Sequence, residues 1–173
     1  MTQLSRSDRP RPVTRLCLER AALHYLERYA SSSENLRRVL TDKVRRRLGP
    51  GEPVAGEVAS TIAEVIQRLA QGGFLDDRSY AEAKVGSLLR RGASLRAVRS
   101  KLRGKGVGEE TIAAALAGHS PDELALARRY AERRRLGPWR TRPDPKARDR
   151  DLASLCRAGF PYAIARAALE PES

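Results

Sequence analysis

From Arg15 onward, apolar residues recur at helical spacing, so the chain reads as a succession of amphipathic helices. Leu18, Ala22, Tyr25, Leu26 and Tyr29 fall on one stripe of a first helix expected to end near Ala30. "SSSEN" then offers a helix start, with Ser31 and Glu34 at capping-box spacing. Leu36, Val39, Leu40, Val44 and Leu48 form the second stripe, and the arginines of that segment lie mostly off it. "GPGEPVAG", with two Pro and three Gly, stops the helix. A third helix is expected from about Val58 to Gln71, burying Ile62, Val65, Ile66 and Leu69.

The next stretch, "QGGFLDDRSYAEAK", raises a choice between a catalytic carboxylate pair and a hinge. Gly72 and Gly73 fall where a left-handed helix end needs no Cβ. Phe74 and Leu75 are an apolar link expected to pack back onto the preceding helices, and Tyr80 belongs to the same structural hinge. Asp76 and Asp77 stand at a helix start, where a carboxylate accepts unpaired amide protons and meets the positive end of the dipole. Neighbouring side chains there point about 100° apart and need not converge on one atom. No adjacent His, Lys base or phosphate-cradling loop completes a site. Capping is the preferred reading, and catalysis or metal binding the alternative.

A fourth helix is expected over 77–91, ending at Gly92. The fifth, "SLRAVRSKLRG", places Leu95, Val98 and Leu102 on one stripe and Arg96, Arg99 and Arg103 on the neighbouring one. The sixth, "EETIAAALAG", turns Ile112, Ala115 and Leu116 inward. The seventh should start with Ser120 as cap and Pro121 and Glu123 in its first turn, and finish at Gly137. "PWRTRPDP" precedes an eighth helix over about 146–157, and "PYAIARAALE" is the ninth. "GVGEETIAAAL" (106–116) and "GFPYAIARAAL" (159–169) align without gaps, and Leu36, Leu40 and Lys43 correspond to Val98, Leu102 and Lys105 at one constant offset. The expected fold is all-α: three consecutive three-helix repeats over 15–73 (with a long loop at 49–58), 74–118 and 119–173, after a flexible basic arm at 1–14. Units so small should lean on one another, giving an elongated, curved rod.

Charge changes the picture from scaffold to binder. Among 173 residues, Lys and Arg number 34 against 21 Asp and Glu, a formal net charge of +13. Such a field favours a polyanion, or a protein lying on one, as partner. Only five of the cations are Lys, so genome composition is a competing account of the arginine bias. The two cysteines, Cys17 and Cys156, and the two histidines, His24 and His119, are isolated, which excludes zinc-type spacing and a disulfide framework. Cys156 reads as a small core residue and His24 as a surface or boundary residue. No apolar run approaches the ~20 residues of a membrane span, and a signal-peptide pattern is absent. A cytoplasmic location is expected, with no cofactor, no metal and no membrane association.

Residues 62–116 resemble the RecX family of bacterial recombination regulators, through the "LDD…YAE" turn, the "RRGAS" link and the "LRGKGV" helix end. The flanking triplets fit more loosely. Gly108 stands where the family usually has an acidic or polar cap, and "PWRTRPDP" lengthens the third triplet. The resemblance implies tandem three-helix repeats and a non-enzymatic monomer. Its implied action is to bind the RecA recombinase filament on single-stranded DNA and restrain strand exchange, ATP turnover and coprotease activity, within DNA repair and the SOS response.

Arginines at helical spacing can each fork onto a phosphate or carboxylate. The first candidates are Arg90, Arg91, Arg96, Arg99, Arg103 and Lys105. The second set is Arg37, Arg38, Arg45, Arg46 and Arg47, and the third Arg128, Arg129, Arg133, Arg134 and Arg135. For each one a plain solvated helix face is the competing account. Trp139 could stack on a base, although anchoring the proline-rich linker is preferred. Two other functional classes stay open: a basic helical protein binding nucleic acid without a recombinase, and, more remotely, an enzyme built on Asp76 and Asp77.

Overall fold

The computed structural model describes residues 13–49, 53–142 and 144–171. Residues 1–12 of the expected N-terminal arm and 50–52 of the 49–58 loop lie outside them. Among the described residues there are nine α-helices, two short 3-10 turns and no strand, so the fold is all-α. The helices are α1 (Arg15–Leu26), α2 (Ser33–Leu48), α3 (Gly56–Gln71), α4 (Asp77–Arg90), α5 (Leu95–Gly104), α6 (Glu109–Ala117), α7 (Glu123–Arg134), α8 (Arg148–Arg157) and α9 (Tyr162–Ala168). The chain divides into two compact units, Met1–Asp77 and Arg78–Ser173.

In the first unit α1, α2 and α3 enclose Leu18, Ala22, Leu36, Leu40, Val44, Ile62, Val65, Ile66 and Leu69, closed by Leu75. The apolar stripes of the three helices supply this core directly. Ser32 caps α2 by accepting from the Asn35 amide at 3.3 Å. The cap therefore lies one residue later than the capping-box spacing suggests. Ser31 is occupied elsewhere: its hydroxyl donates to the Ser32 carbonyl and accepts from Asn35 Nδ2 at 2.8 Å. Asp77 Oδ1 accepts from the Ser33 amide at 2.7 Å, so this carboxylate serves the first turn of α2, a helix forty-four residues away in the chain. Leu75 is buried, but Phe74 is 63% exposed and does not pack back as expected. The tight turn through Gly72 and left-handed Gly73 (φ +76°) leaves its ring outside.

In the second unit α4 to α9 share one core, in which Val85, Val98, Leu102, Ile112, Leu155 and Phe160 are central. The repeats seen in the sequence reappear as repeated environments. Gly106 and Gly159 both have positive φ, Val107 and Phe160 are both buried, and Ala115–Leu116 and Ala168–Leu169 both close a buried face. Ser94 stands at the offset that relates α2 to α5, and like Ser32 it is a buried N-cap, accepting from the Ala97 amide at 3.1 Å. Its hydroxyl also donates to the Ala158 carbonyl at 2.7 Å, tying the start of α5 to the end of α8. Gly92, at φ +69°, lets the α4–α5 turn press on α7: a Cβ there would lie 2.8 Å from the Tyr130 amide nitrogen and 2.9 Å from the Leu126 carbonyl.

Helix ends depart from the sequence reading in several places. α1 stops at Leu26 and not near Ala30. α7 is capped by Asp122, not Ser120: Asp122 stands directly before the helix, and one oxygen of its carboxylate accepts from the Leu124 and Ala125 amides at 2.9 and 3.3 Å. It ends at Arg135 in the left-handed region (φ 54°), two residues before Gly137. α8 begins at Arg148, after a 3-10 turn over Pro145–Ala147 that Asp144 caps. The buried carboxylate of Asp151 accepts from the Gly137 amide at 2.8 Å and pairs with Arg140, which folds the proline-rich linker onto α8. Trp139 is half-buried against the same core, in keeping with an anchor for that linker. Cys156 is half-buried at the core edge, and His24 is exposed.

Candidate binding surface

α5 shows how the sequence creates a basic face. Ser94 fixes its start and Val98 and Leu102 are fully buried, so Arg96, Arg99 and Arg103 are turned the other way. They line a cavity of about 720 Å³ with Ser100, Glu123 and the Gly159–Phe160–Pro161 turn between α8 and α9. Gly159 allows this closeness, since a Cβ there would stand 2.6 Å from Ser94 Oγ and 3.3 Å from Arg96 Cβ.

The stripe is not three equivalent free cations. Glu109, at the start of α6, lies 2.8 Å from Arg103 and 3.5 Å from Arg99. The hydrogen bond from Arg103 is the main cause that holds the Glu109 carboxyl below the usual carboxylate range, and the same contact raises the Arg103 guanidinium. Arg96 is exposed and makes no ion pair among the described residues. Glu109 was not among the residues singled out from the sequence, where "EETIAAALAG" drew notice for its apolar positions alone. The signal was the short "GKGVG" turn, which brings α6 back beside the end of α5.

The other candidates sort by their neighbours. Arg90 and Arg91, at the end of α4, are exposed and make no ion pair among the described residues. Arg90 shares a separate cavity of about 320 Å³ with His119, Asp122 and Arg129. Lys105 is exposed just past the end of α5. Arg128 is half-buried, and Arg129 donates to the Leu89 carbonyl at 3.4 Å, securing the end of α4. Arg133 and Arg134 flank the Tyr130 ring at 5.8 and 5.7 Å. In the first unit Glu34 pairs with both Arg37 (3.5 Å) and Arg38 (3.4 Å). Arg45 pairs with Asp42 at 3.4 Å, Arg46 donates to the Asp42 carbonyl, and Arg47 reaches Cys17 Sγ at 3.6 Å. The structure thus gathers Arg96, Arg99 and Arg103 into one groove and gives most of the remaining arginines local partners.

Among the described residues no group of three or more His, Cys, Asp or Glu is arranged to hold a metal ion. No described helix is long and apolar enough to cross a membrane.

A family model described as "RecX, second three-helix domain" matches residues 76–116, the segment that contains α4, α5 and α6. "Regulatory protein RecX" of Myxococcus xanthus is 41% identical over 166 residues, covering 94% of this chain and 89% of that protein. The protein of the same name from Agrobacterium fabrum is 35% identical over 149 residues, covering 83% and 77%. The fold resembles that of RecX from Lactobacillus salivarius, with a TM-score of 0.60 at 21% identity over 90% of this chain and 94% of that one. A second RecX crystal structure gives a TM-score of 0.63 at 21% identity, covering 87% and 68%.

Proposed function

The chain belongs to the RecX family of regulatory proteins, and from that premise we propose that it is a non-enzymatic modulator of the RecA recombinase filament on single-stranded DNA. The reading extends to a cytoplasmic monomer of tandem three-helix repeats over 15–73, 74–118 and 119–173 that restrains strand exchange, ATP turnover and coprotease activity. The observation that carries it is the α5 groove, in which Arg96 makes no ion pair among the described residues and Arg99 and Arg103 share one exposed carboxylate. A filament of recombinase on single-stranded DNA is a polyanion. A guanidinium can fork onto either phosphate or carboxylate, and Glu109 is a placeholder for both. Helices braced by a common core would hold such contacts at fixed spacing and resist the subunit movements of an ATPase cycle. Each phosphate neutralised should release counterions and make binding fall steeply with salt.

The test replaces Arg96, Arg99 and Arg103 together by Glu and measures strand exchange and ATP turnover by the cognate recombinase. Helix content should stay unchanged while inhibition is abolished. Retained inhibition would place the site elsewhere. Wild-type inhibition at sub-stoichiometric ratios supports filament binding, whereas inhibition only when bare DNA is saturated supports a nucleic-acid binder acting without a recombinase contact.

A further inference from the structure

The first unit holds a second basic surface, of different chemistry. Tyr25 lies on the last turn of α1 and Tyr29 just beyond it, their ring centroids 5.1 Å apart and tilted by 41°. Asn35 Nδ2 donates to the Tyr25 hydroxyl at 3.3 Å, so that ring is anchored to the start of α2. Tyr29 is 57% exposed; its ring leans on that of Tyr25, and its amide donates to the Tyr25 carbonyl at 3.0 Å. Beside these rings a cavity of about 530 Å³ is lined by Arg28, Lys43, Arg46 and Arg47 and by no carboxylate. A second cavity of about 400 Å³ shares Ala21, His24 and Lys43 with it, adds Arg20, and again has no acidic lining. The two form one groove along α1. Arg20, Arg28 and Lys43 are exposed and make no ion pair among the described residues.

We propose that this groove is a single-stranded nucleic-acid site, in which an unpaired base stacks on Tyr29 and the adjoining phosphates pair with Arg28 and Lys43. Exposed aromatic faces set in a cationic channel are what an unpaired strand requires, because every base has a π-face and every linkage a charge. A duplex hides its base faces in its own stack and offers the tyrosines nothing. An acidic peptide would engage the cations but leave the rings unused. The site needs only the strand, so it can hold even where the recombinase reading fails.

The experiment uses the full chain without recombinase and follows the anisotropy of a fluorescein-labelled oligothymidylate of about 15 nucleotides. Tyr29→Ala should weaken binding by about 5- to 100-fold, the loss of one stacked base, while Tyr29→Phe stays near wild type. Lys43→Gln should lower the salt slope by about 0.7, the value for one phosphate of a single strand. Should Tyr29→Ala melt at a lower temperature than wild type, the Lys43→Gln slope decides, since that side chain is exposed. Unchanged binding by Tyr29→Ala, equal loss in Tyr29→Phe, or an unaltered slope in Lys43→Gln would overturn the site. So would an oligoglutamate peptide that displaces the strand equally well from wild type and Tyr29→Ala. In the Arg96, Arg99 and Arg103 charge-reversed chain, binding that still depends on Tyr29 supports an independent site, and binding that no longer does overturns it.

Discussion

Asp77 shows how a residue can be read correctly in type yet misplaced in its partner. A carboxylate beside a helix start invites the reading of a local cap, but this one accepts from the Ser33 amide of α2 at 2.7 Å. Asp77→Ala should therefore cost about 0.5–2 kcal/mol in chemical denaturation. Hydrogen exchange should rise in the first turn of α2, and an increase confined to α4 would refute the assignment. Gly92 is the sharper case. At φ +69°, with backbone atoms of Tyr130 and Leu126 within 2.9 Å of a Cβ position, it has no room to relax. Gly92→Ala should destabilise by about 2–4 kcal/mol, combining a left-handed strain with a backbone clash. A melting temperature equal to wild type would contradict this contact. The glycine itself was legible in the sequence as a helix stop; the helix pressing on it was not.

Between elements, Glu109 links the end of α5 to the start of α6 through Arg103 and Arg99. Its carboxyl is held below its ordinary range chiefly by the Arg103 hydrogen bond, so it binds its proton less readily folded than unfolded. The contribution to stability is present above the unfolded value and is lost as pH falls through the lower folded value. The pair is exposed, so the effect is small and screened by salt. Glu109→Gln should remove this acid-side component, seen as a flatter fall of melting temperature as pH drops below the ordinary glutamate range. It should also free two guanidinium groups and tighten binding of single-stranded DNA or filament at neutral pH. Weaker polyanion binding by Glu109→Gln would mean that the carboxylate organises the groove and does not occupy it.

For the molecule as a whole, α4 to α9 draw on one apolar cluster, with Leu155 of α8 among the same buried residues as Val98 and Leu102 of α5. A three-helix segment this short buries too little surface to fold alone, and a shared core meets that need. Leu155→Ala should cost about 2–5 kcal/mol. Hydrogen exchange should rise in α4, α5 and α6 as well as in α7, α8 and α9. Faster exchange restricted to the last three helices would show separate cores.

The sequence by itself determined the helices, their buried stripes and the excess of positive charge, because these follow from periodicity and composition within one element. Ile62, Leu102 and Ile112 fall on those stripes and are buried for that reason. It also carried the repeat, down to the paired glycines 106 and 159, since each copy solves the same local turn problem. Tertiary structure alone decided which arginines are available. Arg96 and Arg129 look alike in sequence, yet one faces an open groove and the other donates to the Leu89 carbonyl. Tyr25 and Tyr29 read as one more apolar stripe until α1 ended at Leu26 and left the second ring outside. A side chain's partner depends on residues distant in the chain, and no local pattern encodes that distance.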